Sequence, residues 1–274
     1  MNTTQHEKLL TALRYWLAGL ASADSRYYVV LEALEFFADL HSAEIRKNGA
    51  RGFYHQLSIL SYVRNFHVML PNPVDVYVVI LGHDSVEDYE HLSEKIRAKF
   101  PNHFDALKRI SKIREGRKLT NDEYYAGLES CPVCAIAKGA DRIHNMSTMS
   151  DKGAFSIDKQ ERYVTETMEY VLPMLKTARR RFPEIEPLCE VFKSTMLIQC
   201  QITSNLIEKV KTIRSSEFTF DEDDVELVTL TLLGKQRDYA PGINWHCNRQ
   251  WRVNDVRERV RTSLQSLKNK RDQK

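Results

Sequence analysis

Val78-Val79-Ile80-Leu81-Gly82-His83-Asp84-Ser85-Val86-Glu87-Asp88 is an apolar run that ends abruptly in a His-Asp pair, with two more carboxylates inside the next helical turn. Read as helix, residues three and four apart share a face, so Glu87 falls beside His83 and Asp84, and Asp88 beside Asp84. Four ionisable groups at the end of an apolar run are costly unless they have partners or a metal. A neutral imidazole with a carboxylate suits a divalent ion such as Mn²⁺, Fe²⁺ or Zn²⁺, which leaves Glu87 and Asp88 to handle protons. A His-Asp dipeptide also arises by chance, so the reading depends on further ligands elsewhere. His55 and Asp141 are the candidates.

Around this stretch the chain reads as all-α. Its 274 residues hold only 10 Gly and 8 Pro, and long amphipathic stretches recur throughout. A helix is expected over 5–21, then one from about Ser22 or Asp24 to Ile45, one over 55–70 closed by Pro71-Asn72-Pro73, and the His83-Asp84 helix after it. Further helices are expected near 91–100 and 102–114, from Thr120 (where Thr120 and Glu123 fit a capping box), over 132–149, 158–181 and 184–213. The acidic run Asp221 to Asp224 reads as a loop or cap, 225–233 as helix or strand, 234–248 as irregular, and about 249–268 as a basic helix. The net charge of +3 does not point to nucleic acid. There is no run of 18 apolar residues, and no signal-peptide pattern follows the polar start, so a cytoplasmic protein without membrane contact is expected.

Two other stretches carry chemistry. Arg46-Lys47-Asn48-Gly49-Ala50-Arg51-Gly52 precedes His55. Its cations and glycines suit a phosphate or nucleotide, and equally a solvated basic turn. Over 132–149, Lys138, Asp141, Asn145 and Thr148 recur at spacings of three, four and three, which puts a cation, a carboxylate, an amide and a hydroxyl on one stripe. His144 is off that stripe by one position and reads as a support behind the ligands or as structural, and His41 as a core histidine. Five cysteines are too few for a disulfide scaffold. Cys131-Pro132-Val133-Cys134 lacks the second pair of a zinc ribbon and the βαβ setting of a redox fold, so it reads as the start of a buried helix.

Four ordered segments together resemble the hydrolase domain of the RelA/SpoT family, within the HD phosphohydrolase superfamily. Arg46-Lys47-Asn48-Gly49 with His55 resembles the family's RKSG…H, and His83-Asp84-Ser85-Val86-Glu87-Asp88 resembles its HDxxED. Lys138 to Thr148 resembles KLADRLHNMRT, and Glu166 to Pro173 resembles ETLEIYAP. The resemblance covers about residues 25–182. It implies an HD-domain helical bundle over 1–182, with 183–274 as a helical extension of unknown role, too short for the synthetase domain that long family members carry. The chain departs from the pattern at residues 50–53, at Gln56 (a Pro in the family), at Tyr89 (a Thr) and at Gly139 (a Leu), without losing a ligand or a catalytic carboxylate.

By that resemblance His55, His83, Asp84 and Asp141 bind one divalent metal, usually Mn²⁺ in the family. Glu87 and Asp88 are then catalytic, and Arg46, Lys47, Lys138, Arg142, Asn145 and Thr148 meet the substrate. The implied reaction is hydrolysis of the 3′-diphosphate of the guanine nucleotide (p)ppGpp to pyrophosphate and GDP or GTP. Two other readings compete: an HD phosphohydrolase for another nucleotide, motivated by the altered loop, and a non-catalytic nucleotide-binding module. The oligomeric state is left open.

Overall fold

The computed structural model describes residues 3–45, 52–114, 116–150, 155–215, 222–225, 228 and 257–265. The expected all-α fold is what forms, and the only strands among these residues are a two-residue pair. In chain order the elements are α1 (Thr3–Ala23), α2 (Tyr28–Leu40), α3 (Tyr54–Val63), α4 (Pro73–Gly82), α5 (Ser85–Asp88), α6 (Ser93–Lys99) and α7 (Phe104–Ile110). The antiparallel strands β1 (Ile113–Arg114) and β2 (Arg117–Lys118) come next. They are followed by α8 (Asn121–Glu129), α9 (Pro132–Thr148), α10 (Ile157–Glu166), α11 (Leu172–Arg181) and α12 (Glu186–Ser215).

α4 is the axis of the bundle. Pro73 begins it at a position where its missing N–H costs nothing, and every residue from Val76 to Gly82 is buried. A helix buried all round must be apolar all round, and this one packs against α2, α3, α7 and α9. Gly82 is its last residue, and the glycine there has a steric reason. A Cβ there would lie 2.5 Å from Phe37 and 2.8 Å from Leu107, so only glycine lets α2 and α7 close over this point.

The helix stops at Gly82 instead of running on through Asp88, and α2 stops at Leu40 instead of Ile45. Between Val63 and Leu70 the chain tightens into a 3₁₀ turn, Arg64–Met69. Thr120 and Glu123 form the expected capping box. Gly116, with φ 72°, makes the β1–β2 turn in a conformation that favours glycine. α10 and α11 are joined by a π turn over Thr167–Val171, and Pro173, the second residue of α11, has no N–H for the preceding turn.

The chain divides into two compact units, Met1–Ile207 and Glu208–Lys274. The first reaches beyond residue 182, where the family resemblance ends, because Ile185, Leu188, Phe192 and Met196 are wholly buried members of its main core. In the second unit 222–225 and 257–265 are helical, Val225 and Val260 are buried, and Arg261 pairs with Glu222. Among the described residues no helix is long and apolar enough to cross a membrane.

Candidate metal centre

α3, the turn after α4, and α9 each bring part of one polar cluster into the interior. His55 lies in the first turn of α3, His83 and Asp84 form the turn that follows Gly82, and Asp141 sits in the middle of α9. His55, His83 and Asp141 are buried and Asp84 is partly so. His55 Nε2 is 3.0 Å from Asp141 Oδ1. His83 Nε2 is 3.2 Å from Asp84 Oδ2 and 3.7 Å from Asp141 Oδ1. Candidate ligand atoms of His55, His83 and Asp84 all fall within 4.8 Å of one another.

His83 shows that these residues fit a cation. Its Nδ1 is 2.8 Å from the Ile80 carbonyl, which can only accept, so Nδ1 carries a proton and Nε2, whenever the ring is neutral, presents a lone pair to the cluster. That Nε2 is buried and, despite the nearby carboxylates, makes no hydrogen bond. An orphaned buried acceptor between two carboxylates is costly unless something positive fills the space. Two imidazoles and two carboxylates without a thiolate are the donor set of a divalent first-row metal.

The electrostatics agree. Burial opposes a charge on His83, yet Asp84 and then Asp141 outweigh it and raise its pKa to about 9. Asp84 is held below the ordinary carboxylate range: burial pushes it up, but His83 and His55 prevail. Without a metal, a proton on His83 takes the cation's place.

α9 surrounds Asp141 with the expected stripe. Lys138 Nζ donates to Oδ2 at 2.8 Å, and Asn145 Nδ2 donates to Oδ1 at 2.5 Å. Burial works against Asp141's charge, but Lys138, His55 and His83 hold its pKa well below normal. Thr148 bonds back to the His144 carbonyl at 3.1 Å, so it stays on the stripe without touching Asp141. His144 is a support: its Nδ1 is 2.8 Å from Nδ1 of His55.

Glu87 and Asp88 are both exposed on α5. Glu87 Oε2 accepts the Lys112 amide at 2.7 Å. Although Asp88 as a whole is exposed, its carboxyl is partly desolvated by its surroundings, and this first, then Asp84 and Glu44, raise its pKa to about 6. Arg142 lies apart from this group. It is buried, donates to Glu166 Oε2 at 2.9 Å and the Tyr125 hydroxyl at 3.1 Å, and lies 4.0 Å from the Tyr163 ring centre. Arg46 and Lys47 lie outside the described residues.

The sequence reading missed three contributors. Gln56 donates to Asp84 Oδ2 at 3.3 Å, and its Pro-to-Gln departure from the family pattern was the available signal. His41, read as a core histidine, is indeed buried, but it also ties Glu44 (2.8 Å) to Ser85 (2.9 Å), the residue after Asp84. Glu166 accepts from Arg142 and from Lys112 Nζ (3.4 Å), whose own amide holds Glu87. No spacing rule points to a link across such sequence separations.

No family model matches the chain, and no solved structure does. Among curated proteins it is similar to a "Probable GTP pyrophosphokinase" of Mycobacterium leprae, 27% identical over 153 residues, which are 53% of this chain and 19% of that protein. It is also similar to a "GTP pyrophosphokinase" of Myxococcus xanthus, 25% identical over 160 residues, 53% of this chain and 20% of that one. A "Probable guanosine-3′,5′-bis(diphosphate) 3′-pyrophosphohydrolase" of Synechocystis is 27% identical over 167 residues, 57% of this chain and 21% of that protein. The chain thus spans about a fifth of the length of these relatives. Over about half of its own length it has homologues, at 25–27% identity, in the RelA/SpoT family of guanine-nucleotide enzymes.

Proposed function

We propose that this chain hydrolyses the 3′-diphosphate of (p)ppGpp, releasing pyrophosphate and GDP or GTP. The observation that carries the reading is the convergence of His55, His83, Asp84 and Asp141, with His83 Nε2 left without a hydrogen-bond partner. The four HD-type segments and the relative named as a pyrophosphohydrolase support it.

In this reading His55, His83, Asp84 and Asp141 hold one divalent cation, Mn²⁺ by the family resemblance. Such a cation, when bound, supplies Lewis acidity to the diphosphate oxygens. The protein's own groups do the rest. Glu87 accepts the proton of the attacking water, and Asp88 holds or returns a proton at the leaving oxygen, transfers typically worth about 10²–10⁴ in rate. Lys138 and Asn145 keep Asp141 ionised and aimed, and Asn145 and Thr148 face the ribose side of the nucleotide. Arg46 and Lys47 meet the guanine and its phosphates. Arg142 serves by fixing Glu166, which holds Lys112 and, through its amide, Glu87.

Product analysis with ppGpp and pppGpp in Mn²⁺ tests the reading. Pyrophosphate with GDP or GTP is expected, and EDTA should abolish it. A parallel reaction offering GTP and ATP separates hydrolysis from pyrophosphate transfer. Intact ppGpp alongside cleavage of another nucleotide would favour the second reading, an HD phosphohydrolase of different specificity. That alternative is motivated by the altered loop at residues 50–53, and Gln56 on Asp84 and Tyr89 on Glu44 (2.5 Å), both departures from the family pattern, add to it.

A further inference from the structure

Cys131 and Cys134 open α9 at the end opposite the polar cluster's support, and the proposed hydrolysis makes no use of them. Cys131 is the N-cap, in an extended conformation (φ −138°, ψ 113°), with Pro132 as the first helical residue. In that position a side chain folds back over the first free amides of the helix. The Cys131 side chain makes no directed capping bond, and the Ala135 amide donates to the Cys131 carbonyl at 3.0 Å, which closes the first turn with Cys131 and Cys134 on it. Residues three apart across a helical turn have Cα atoms about 5 Å apart, inside the roughly 4.4–6.8 Å that a disulfide spans between Cα atoms.

The two thiols differ in the way a reactive pair requires. Cys131 is partly exposed, whereas Cys134 is fully buried and points its Sγ at the Ala106 carbonyl, 3.5 Å away. Arg109 is pinned beside them, donating to Ser130 Oγ at 2.9 Å and to the Gly127 carbonyl at 3.3 Å. A guanidinium and helix-end amides favour the thiolate. The Cys134 hydrogen bond, then those amides and Arg109, outweigh burial and bring the Cys131 pKa down to about 6, while Cys134 is pushed up.

We propose that Cys131 and Cys134 form a thiol-oxidation site in which Cys131 is the attacking thiolate and Cys134 the resolving thiol, with small hydroperoxides as the oxidant class. The Cys131 thiolate attacks one peroxide oxygen, the O–O bond breaks, and Cys131 becomes a sulfenic acid as hydroxide leaves and takes up a proton. The Cys134 sulfur then attacks the Cys131 sulfur, the S–O bond breaks and water departs with the Cys134 proton. Two thiols lose two electrons in all, and hydrogen peroxide is reduced to two waters. The inference does not depend on the metal centre, so either can fail without the other.

Trypsin cleavage after Lys118 and Lys138 places both cysteines, and no other, on the peptide 119–138. The full chain is treated with hydrogen peroxide, blocked with iodoacetamide, digested and weighed. The expected result is loss of two hydrogens within peptide 119–138, reversed by dithiothreitol. In the untreated chain, Cys131 should alkylate at neutral pH about tenfold or more faster than buried Cys189. Cys134→Ser should stop at a dimedone-reactive sulfenic acid on Cys131, and Cys131→Ser should give no internal link. The proposal is overturned by a peroxide-treated wild-type chain whose peptide 119–138 keeps both thiols, by Cys131 and Cys189 alkylating at the same rate, or by Cys131 linked to a separate peptide bearing Cys247. These three outcomes are read on the wild-type chain, so a variant that fails to fold does not shelter the idea.

Discussion

Asp141 and Arg142 are adjacent on α9, yet their polar surroundings are of opposite kinds. Asp141 belongs to a group left open: His55, Lys138 and Asn145 reach it, but His83 Nε2, 3.7 Å away, finds no hydrogen-bond partner. Arg142, one residue on and turned by about 100° around the helix, belongs to a group closed almost completely on itself. Glu166, Tyr125 and the Tyr163 carbonyl take its NH groups, Lys112 and Tyr125 take the other Glu166 oxygen, and of the guanidinium nitrogens Nε has no acceptor. A closed network fixes a fold, whereas an open one with an orphaned acceptor asks for a ligand.

The comparison breaks first, if it breaks, at Asp141. Asp141→Ala is expected to abolish hydrolysis and empty the site of metal, measured by elemental analysis of the purified variant. A variant that keeps a full complement of metal would remove Asp141 from the ligand set. Glu87→Gln should keep the metal and lose about 10²–10⁴ in turnover, because an amide cannot accept the proton. Loss of metal in Glu87→Gln would move Glu87 among the ligands.

On the closed side, Arg142→Leu strands Glu166. It should cost up to about 3–5 kcal/mol in urea unfolding, the consequence of removing one partner of a buried pair, reduced here because Glu166 is only partly buried. A raised KM with unchanged stability would instead make Arg142 a substrate contact. Acid should reveal the same network. Burial tends to raise the Glu166 pKa, but Arg142 and then Lys112 and Tyr125 pull it down from 4.5 to about 2. A depressed carboxylate stabilises the fold above its unfolded pKa, and the benefit is lost as pH falls from 4.5 towards 2. Across that window wild type should lose roughly 2–3 kcal/mol more than Glu166→Gln. Parallel stability curves would show the pairing to be weak.

The smallest effect is expected at Gly139, where this chain departs from the leucine of the family pattern. A Cβ there would sit 2.7 Å from the Phe192 ring of α12. Restoring leucine should destabilise the protein by about 1–3 kcal/mol through overpacking, and Gly139→Leu with Phe192→Ala should recover part of it. A neutral Gly139→Leu would mean that Phe192 moves aside freely.

The all-α class was legible because amphipathic spacing and the scarcity of Gly and Pro are local properties. So was the α9 stripe: Lys138, Asp141 and Asn145 share a face by helical geometry alone, and they do meet. The same spacing rule failed one step away. It carried the helix through His83 to Asp88, whereas α4 ends at Gly82, where Phe37 and Leu107 leave no room for a Cβ, and His83 and Asp84 lie in the turn that follows. Periodicity also gave Arg142 no environment of its own, since whether a cation faces solvent or a half-buried carboxylate depends on α10, some twenty residues on. Sequence determines what lies within a turn or two of a helix. Which faces are closed over, and which polar atom is left without a partner, is decided when distant helices compete for the same space.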